Sequence, residues 1–408
     1  MAARQGRWRY LKIESVPLTV AIVGGSVAGL TAAIELRSLG CHVEVFERSA
    51  TEMKSRGGGI VLQQNVIDWF SGTLGLPLDR VSTRTDFLRY FDRDGNVVSN
   101  RQKVWHNTSW STLHKALLAT FGSANYHAGA TAVDIAQDEH EAVVTFEDGS
   151  VCSVDLVIFA DGISSVGRAR LSPQTKPEYA GYIGWRGTVE ESLLTSTTLT
   201  ALADSMSYYV GENTHIILYP IPGPDGQLSV GERLMNFVWY RNIPAGDEFT
   251  SMVTDRKGRL CSVSVQAGEV KQEFVDQVRV DAEALLPAVA SEVVAKTAQP
   301  YIQIMQDTIA DRMAYGRVAL IGDAAFASRP HAAAWTAKAV SDGLALAEHL
   351  EKSQFDVTEA LANWEPAQLE IGRHLFHRVR EMGARSQFEN SWEPGDPTFD
   401  FGLFGPDI

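Results

Sequence analysis

Residues 18–48 read LTVAIVGGSVAGLTAAIELRSLGCHVEVFER. The run Thr19-Val20-Ala21-Ile22-Val23 is apolar and rich in β-branched residues, the pattern of a parallel strand buried on both faces. Gly24, Gly25, Ser26 and Gly29 follow, then an Ala/Leu-rich helix from about Leu30 to Leu39, stopped by Gly40. A second strand, His42–Phe46, runs into Glu47 and Arg48, with Glu47 18 residues beyond Gly29. The result is a βαβ unit whose small residues have separate tasks. Gly24 permits the tight turn, and Gly29 lets helix and strand approach closely. The free N–H groups around Gly25, Ser26, Val27 and Ala28 favour a pyrophosphate, and Glu47 can accept from ribose hydroxyls. Ser26 takes the second glycine place of G-x-G-x-x-G and is small enough for a phosphate to approach. The unit predicts dinucleotide binding.

A hydrolase reading uses the same residues. Gly24-Gly25-Ser26-Val27-Ala28 is one residue from the G-x-S-x-G nucleophile elbow. That elbow follows several strands, whereas this turn follows the first, and the acid on the next strand has no place in it. The serine reading is the weaker.

The chain has 408 residues, enough for two or three domains. A formal charge of −14 argues against nucleic acid or an anionic membrane as partner. Cys41, Cys152 and Cys261 are odd in number and far apart, which fits a reducing compartment and neither a disulfide frame nor a metal site. No run of about 18 apolar residues is free of charge or glycine, so no membrane span and a cytoplasmic protein are expected. Arg4, Arg7, Arg9 and Lys12 make a basic stretch before the first strand, read as a loose tail; a mitochondrial presequence has a similar composition.

Further on, Arg56-Gly57-Gly58-Gly59 reads either as a close backbone approach to something flat or to another strand, or as a plain loop. Phe87–Ser99 reads as a hairpin turned at Asp94-Gly95-Asn96, Ser111–Phe121 as a helix, and Ser153–Phe159 as a buried strand running into Asp161-Gly162. Arg168 follows within reach of a phosphate or of Asp161. From Tyr179 to Pro300 strand-like runs (Tyr182–Val189, Ser207–Gly211, Ile216–Tyr219, Leu234–Tyr240) suggest an antiparallel sheet, with helices from Asp247 and over Val270–Lys296. A buried strand returns before Gly322-Asp323. Then come Pro330-His331, an Ala-rich helix Ala332–Leu350 and an amphipathic helical pair over Glu359–Arg385.

Three strand-end motifs in this order are Gly24-Gly25-Ser26-x-x-Gly29, Asp161-Gly162-x-x-Ser165-x-x-Arg168 and Gly322-Asp323-Ala324-Ala325 with Pro330. They resemble those of the single-component FAD-dependent aromatic hydroxylases. GGSVAGLTAA, YAGYIGWRG, HIILYPIPG, GRVALIGDAA, RPHAAA and WEPGDPTFDFGL look like segments of the hydroxypyridine-hydroxylating members, from about Thr19 to Leu403. The resemblance implies an α/β fold: a Rossmann-like FAD-binding domain (residues 18–80, 100–178 and 300–352), an inserted antiparallel-sheet substrate domain (81–99 and 179–299) and a C-terminal helical segment (353–408). Ser26, Val27 and Ala28 would meet the pyrophosphate and Glu47 the adenosine ribose, with Gly24, Gly25, Gly29, Arg48 and Gly59 as further cofactor-binding residues. Asp161, Gly162, Gly322 and Asp323 would flank the pyrophosphate and ribityl chain. The helix after Pro330, with Ala333 and Trp335, would point its N–H groups at the flavin edge. Two positions depart from the family: Trp110 stands where many relatives have an arginine, though the hydroxypyridine enzymes also lack it, and Trp335 stands where relatives have a glycine.

The implied activity is hydroxylation of an aromatic or heteroaromatic ring, phenol- or hydroxypyridine-like, with NADH or NADPH and O2 through a flavin C4a-hydroperoxide. No second βαβ unit is present, so the nicotinamide would visit transiently. Such chemistry needs an electron-rich ring. His215 and Tyr219, four apart on one strand face, match a His-x-x-x-Tyr feature of the hydroxypyridine enzymes and are the candidate catalytic pair; His331 is the other candidate. Arg186 or Arg241 would pair a ring carboxylate if the reaction were a decarboxylative hydroxylation. A flavoprotein with altered or lost turnover, marked by Trp335, is the remaining alternative. The reading leaves a homodimer open.

Overall fold

The computed structural model describes residues 7–8, 17–50 and 58–405. The basic stretch before the first strand and Arg56-Gly57 lie largely outside them. A six-stranded sheet runs in the order Ala314–Tyr315, Val318–Leu320, Leu156–Phe159, Thr19–Val23, His42–Glu47, Tyr126–Ala128. Its neighbours are parallel except the first pair. Thr19–Val23 is central and every residue of it is buried, which is why it shows no polar alternation. The helix Val27–Ser38 starts earlier than the apolar pattern suggested and includes Gly29. A Cβ on Gly29 would overlap the carbonyl of Gly24, and one on Gly24 (φ +108°) would overlap that of Ala160. Glycine is needed at both places.

The stretch Ser153–Phe159, read as one strand, divides at Asp155. Val151–Val154 joins an antiparallel sheet with Ala142–Phe146 and Ala132–Gln137, and Leu156–Phe159 joins the parallel one. The Asp155 carboxylate accepts from the Thr19 N–H at 2.9 Å and from its hydroxyl at 2.8 Å. Those bonds fix the break against the neighbouring strand.

The largest sheet follows the order Ser264–Val265, Tyr301–Ile309, Glu178–Glu190, Leu234–Asn242, Thr214–Ile221, Ser205–Gly211, Thr83–Phe91, Val97–Ser109, Gly59–Leu62. It is mixed rather than wholly antiparallel, because Ser205–Gly211 and Thr83–Phe91 run parallel. These two strands are joined by a long excursion through the other sheets, so no hairpin dictates their relative direction. The sheet also takes in Tyr301–Ile309 and residues 100–109, stretches read above as part of the nucleotide side. Val97–Ser109 extends that far because Thr83–Phe91 and then Gly59–Leu62 pair along it.

Two helices close the fold, Trp335–Lys352 and Val357–Ala384. The second was read as a helical pair but is one helix of 28 residues that continues through Pro366. Pro366 and Ala362, the residue whose carbonyl loses its helical partner, are both exposed, so water can satisfy the orphaned acceptor. The buried face carries Leu361, Trp364, Leu375 and Val379. Trp364 is fully buried and donates from Nε1 to the Asp342 carbonyl at 3.1 Å, which locks the two helices together. Truncating such a side chain to alanine costs about 3–5 kcal/mol. Among the described residues no helix is long and apolar enough to cross a membrane, and no cluster of His, Cys, Asp or Glu could hold a metal.

Candidate active site

A cavity of about 550 Å³ lies between the strand ends of the parallel sheet and one face of the mixed sheet. Its nucleotide end is lined by Gly24, Ser26, Glu47, Arg48, Asp161, Gly162 and Asp323. Gly25, Val27, Ala28, Gly29 and Gly322 shape this end from behind. The Gly25 N–H donates to Glu47 Oε2 at 3.0 Å, and Gly322 (φ +56°) sits against the Ala28 methyl. The Gly322 N–H donates to Asp342 Oδ2 at 2.9 Å.

Ser26 occupies the N-cap of Val27–Ser38, yet its side chain makes no cap bond, so the first N–H groups of the helix stay free for an anion. Its hydroxyl accepts from the Trp110 indole at 3.1 Å, and the nearby His114 meets the Gly25 carbonyl instead of the serine. The nucleophile-elbow arrangement is absent among the described residues.

Asp161 accepts from the Val166 N–H at 2.7 Å through Oδ2, while Oδ1 is shut off from solvent and has no partner. Burial raises its pKa, and burial lifts that of Asp323 to about 6 against the opposing Arg168 charge. Arg168 itself does not face the cavity. It is buried and donates to the carbonyls of Ala324 (2.8 Å), Asp323 (3.3 Å) and Ile163, tying two strand-end loops together. The phosphate contact considered for it is thus replaced by a scaffold role. The free helix N–H groups, the glycine cradle and the unpartnered carboxylate oxygen fit a dinucleotide pyrophosphate and its sugars.

The other end is lined by aromatic and neutral groups. His215, Ile217 and Tyr219 alternate along Thr214–Ile221, and Val238 and Tyr240 do so on the adjacent strand. Period-two geometry sends them to the same face, so the spacing of His215 and Tyr219 was sufficient to place them together. The same parity turns Arg241 away; it pairs with Asp281 at 3.0 Å. Arg186 lines the cavity. His215 stacks on Tyr240 with centroids 4.3 Å apart, and His331 lies 5.2 Å from His215. Burial takes the His215 pKa down to about 3 and depresses that of His331, to which His215 and Arg329 also contribute. Burial raises those of Tyr208, Tyr219 and Tyr240, so all three hydroxyls stay protonated at neutral pH.

Gly59, Pro330, Ala333 and Trp335 border the cavity. A Cβ on Gly59 would overlap the Tyr219 ring, and one on Gly58 the Arg186 guanidinium, which explains the glycines there. Ala333 is left-handed (φ +48°), and Ala334 at the N-cap of Trp335–Lys352 brings no capping side chain, so this helix start is also open. Sequence reasoning missed Tyr301 as a lining residue, and it placed Tyr208 and Tyr240 only within an aromatic-rich group of which a few would line a pocket. Strand alternation from Tyr219 carries a signal for Tyr240, but strand order, which the sequence does not state, is needed to use it.

A dinucleotide cradle opening onto an aromatic pocket is the arrangement that a flavin-dependent ring hydroxylase needs. Residues 179–307 match the FAD binding domain-like family. The chain is 35% identical to 2,6-dihydroxypyridine 3-monooxygenase of Paenarthrobacter nicotinovorans over 94% of its length and 95% of that protein. The solved structure of 2,6-dihydroxypyridine-3-hydroxylase from Arthrobacter nicotinovorans superposes with a TM-score of 0.90 at 35% identity, covering 96% of this chain and 98% of that one. The FAD-dependent urate hydroxylase of Klebsiella pneumoniae is 25% identical over 91% of this chain and 92% of its own. The chain belongs to the family of FAD-dependent aromatic hydroxylases that includes 2,6-dihydroxypyridine 3-monooxygenase. It is a flavoprotein monooxygenase that binds FAD, uses NAD(P)H and O2, and hydroxylates an aromatic or heteroaromatic ring.

Proposed function

We propose that the substrate is a small hydroxylated heteroaromatic ring of the hydroxypyridine type. The observation that carries this reading is the placement of His215 and Tyr219 on one strand face, in an aromatic pocket, in a chain so similar to a dihydroxypyridine enzyme. Bound FAD supplies storage of the electrons from NAD(P)H and activation of O2.

The chain's own residues do the rest. Gly24, Ser26 and the N–H groups of the helix behind them hold the pyrophosphate, and Glu47, Arg48, Asp161 and Asp323 border the sugars. The open start of Trp335–Lys352 would offer N–H groups and a positive dipole end to the flavin edge, which favours negative charge there. His215, neutral at working pH, and Tyr219 hydrogen-bond the ring hydroxyl whose ionisation makes the ring electron-rich. Tyr208, Tyr240 and Ile217 pack the ring faces and exclude water, which protects the reactive species from decay to peroxide.

The test is direct. Acid-released cofactor should co-migrate with FAD, and NAD(P)H oxidation should accelerate with a hydroxypyridine in a panel of hydroxypyridines, phenols and ring acids. Acceleration by phenols or ring acids alone would overturn the substrate assignment while leaving the family intact.

A further inference from the structure

Arg186 is anomalous for a residue inside a protein. It sits in the middle of Glu178–Glu190, half-buried with what exposure it has on the cavity, and its Nε is closed off from solvent with no partner. It forms no ion pair among the described residues. Burial opposes its charge, and the groups that favour it are neutral hydroxyls, those of Tyr301, to which it also hydrogen-bonds, Tyr240 and Tyr219. The carboxylates of the cavity lining stand at its nucleotide end. Glu47 accepts from the N–H groups of Gly25 and Ser49, and Asp161 and Asp323 neighbour Arg168. The other lining arginine, Arg48, is exposed. A guanidinium does not give up its proton, and an enclosed cation without a counter-ion is costly. The chain nevertheless makes room for it, since a side chain on Gly58 would collide with the guanidinium.

We propose that Arg186 is the counter-ion of the substrate, and that the pocket therefore takes its ring as an anion, with an ionised ring hydroxyl or a ring carboxylate on the guanidinium. This rests on the ring-hydroxylase reading above and narrows it. Arg186, Tyr219, Tyr240 and His215 form one wall of the cavity, because Arg186 and Ile217 flank Val238 on neighbouring strands, Tyr219 and His215 lie two residues either side of Ile217, and Tyr240 stacks on His215. An anion held at Arg186 lies along that wall. The arginine stabilises the ionised form, so the neutral imidazole and phenol need only orient the ring. A planar guanidinium also matches a carboxylate in two-point geometry, whereas an oxyanion takes a single bond.

The experiment uses FAD-loaded protein and follows ring binding by the perturbation of flavin absorbance. The probes are 2,6-dihydroxypyridine from pH 5 to 9, 6-hydroxynicotinate, and uncharged 2-methoxypyridine. Arg186→Met should keep its FAD and weaken the anionic rings by about 30-fold or more, while 2-methoxypyridine changes by less than about threefold. Arg186→Lys should recover part of the loss. Because the methionine removes an unpaired enclosed charge, the ligand-free variant should melt at or above the parent temperature. Tighter binding of 2,6-dihydroxypyridine with ionisation marks the oxyanion source, and selective binding of 6-hydroxynicotinate marks the carboxylate source. Equal weakening of charged and neutral rings, unchanged affinities, or a lower melting temperature restored by lysine would each overturn the proposal. So would a shifted flavin potential with ring affinity intact, which would make Arg186 a partner of the reduced cofactor. Failure of the parent protein to bind FAD would sink the flavoprotein reading instead, and the two failures are distinct.

Discussion

Gln387 Nε2 lies 3.1 Å from His215 Nδ1, both side chains buried. The contact joins the C-terminal turn Arg385–Glu389 to the strand that lines the cavity. With the amide N–H donated to Nδ1, the imidazole proton resides on Nε2. The C-terminal segment thus sets which nitrogen of His215 is the donor. Gln387→Leu should leave FAD bound, reduce stability by about 1–3 kcal/mol through the unsatisfied imidazole, and raise peroxide release. Urea unfolding and peroxide assay check this, and an unchanged peroxide yield would confine Gln387 to a structural role.

Direct removal of the pair should be more severe. If His215 and Tyr219 hold the ionising hydroxyl, His215→Ala or Tyr219→Phe should slow hydroxylation by about 10²–10⁴. FAD content should hold, and NAD(P)H consumption should run on to peroxide. Rates and coupling equal to the parent would show that the two residues merely fill the pocket wall.

Much of this site was legible in the chain because its signals are local. Gly24 and Gly29 announce a turn and a close approach, and Asp161-Gly162 and Gly322-Asp323 announce strand ends. What stayed hidden depends on contacts between distant segments. The break at Asp155 exists because Thr19 sits beside it, and Arg168 was drawn away from the cavity by carbonyls more than 150 residues on. Gln387 could not be read at all, since nothing near it in sequence hints at a histidine 172 positions earlier.

The glycine cradle makes its own prediction. A Cβ on Gly29 would press on the Gly24 carbonyl, backbone against backbone, where no flexible side chain can yield. Gly29→Ala should cost about 1–3 kcal/mol by overpacking and lower FAD occupancy. Gly162→Ala, whose added methyl meets nothing within 4 Å, should strain only its own left-handed backbone (φ +80°). Flavin content after identical purification separates the two. Full FAD occupancy in Gly29→Ala would refute the cradle.

Acid should weaken the fold through His215. Its folded pKa is about 3, whereas an unfolded histidine titrates near about 6.5. Between these values the unfolded chain binds a proton that the folded chain refuses. The contribution is therefore whole above about 6.5 and falls as pH drops, by up to about 1.4 kcal/mol per pH unit. His331 acts in the same sense, and Asp161 and Asp323, raised by burial, act in the opposite one. Comparison with His215→Asn cancels those shared groups. The stability gap between parent and variant should narrow from pH 7 to pH 5 in urea titrations; a constant gap would assign the acid sensitivity elsewhere.

Trp335 stands where the family resemblance leads one to expect a glycine, and its position suits it to a task. It lines the cavity half-buried, and its indole N–H donates to the Arg329 carbonyl at 3.0 Å. Arg329 is itself held by Asp307 at 2.8 Å, so the indole is anchored to a fixed point. Its backbone opens the helix Trp335–Lys352, and a side chain there removes no backbone donor. The helix start can still serve the flavin while the indole occupies the space beside it. Trp335→Gly should widen the cavity, admit bicyclic rings such as hydroxyquinolines, and leave FAD in place. Trp335→Phe should keep the narrow range and lose the bond to Arg329, at about 1 kcal/mol. Substrate-stimulated NAD(P)H oxidation and peroxide yield, measured for both variants over mono- and bicyclic rings, separate bulk from anchoring. A glycine variant with unaltered range, flavin reduction rate and peroxide leakage would show that the indole does not gate the pocket.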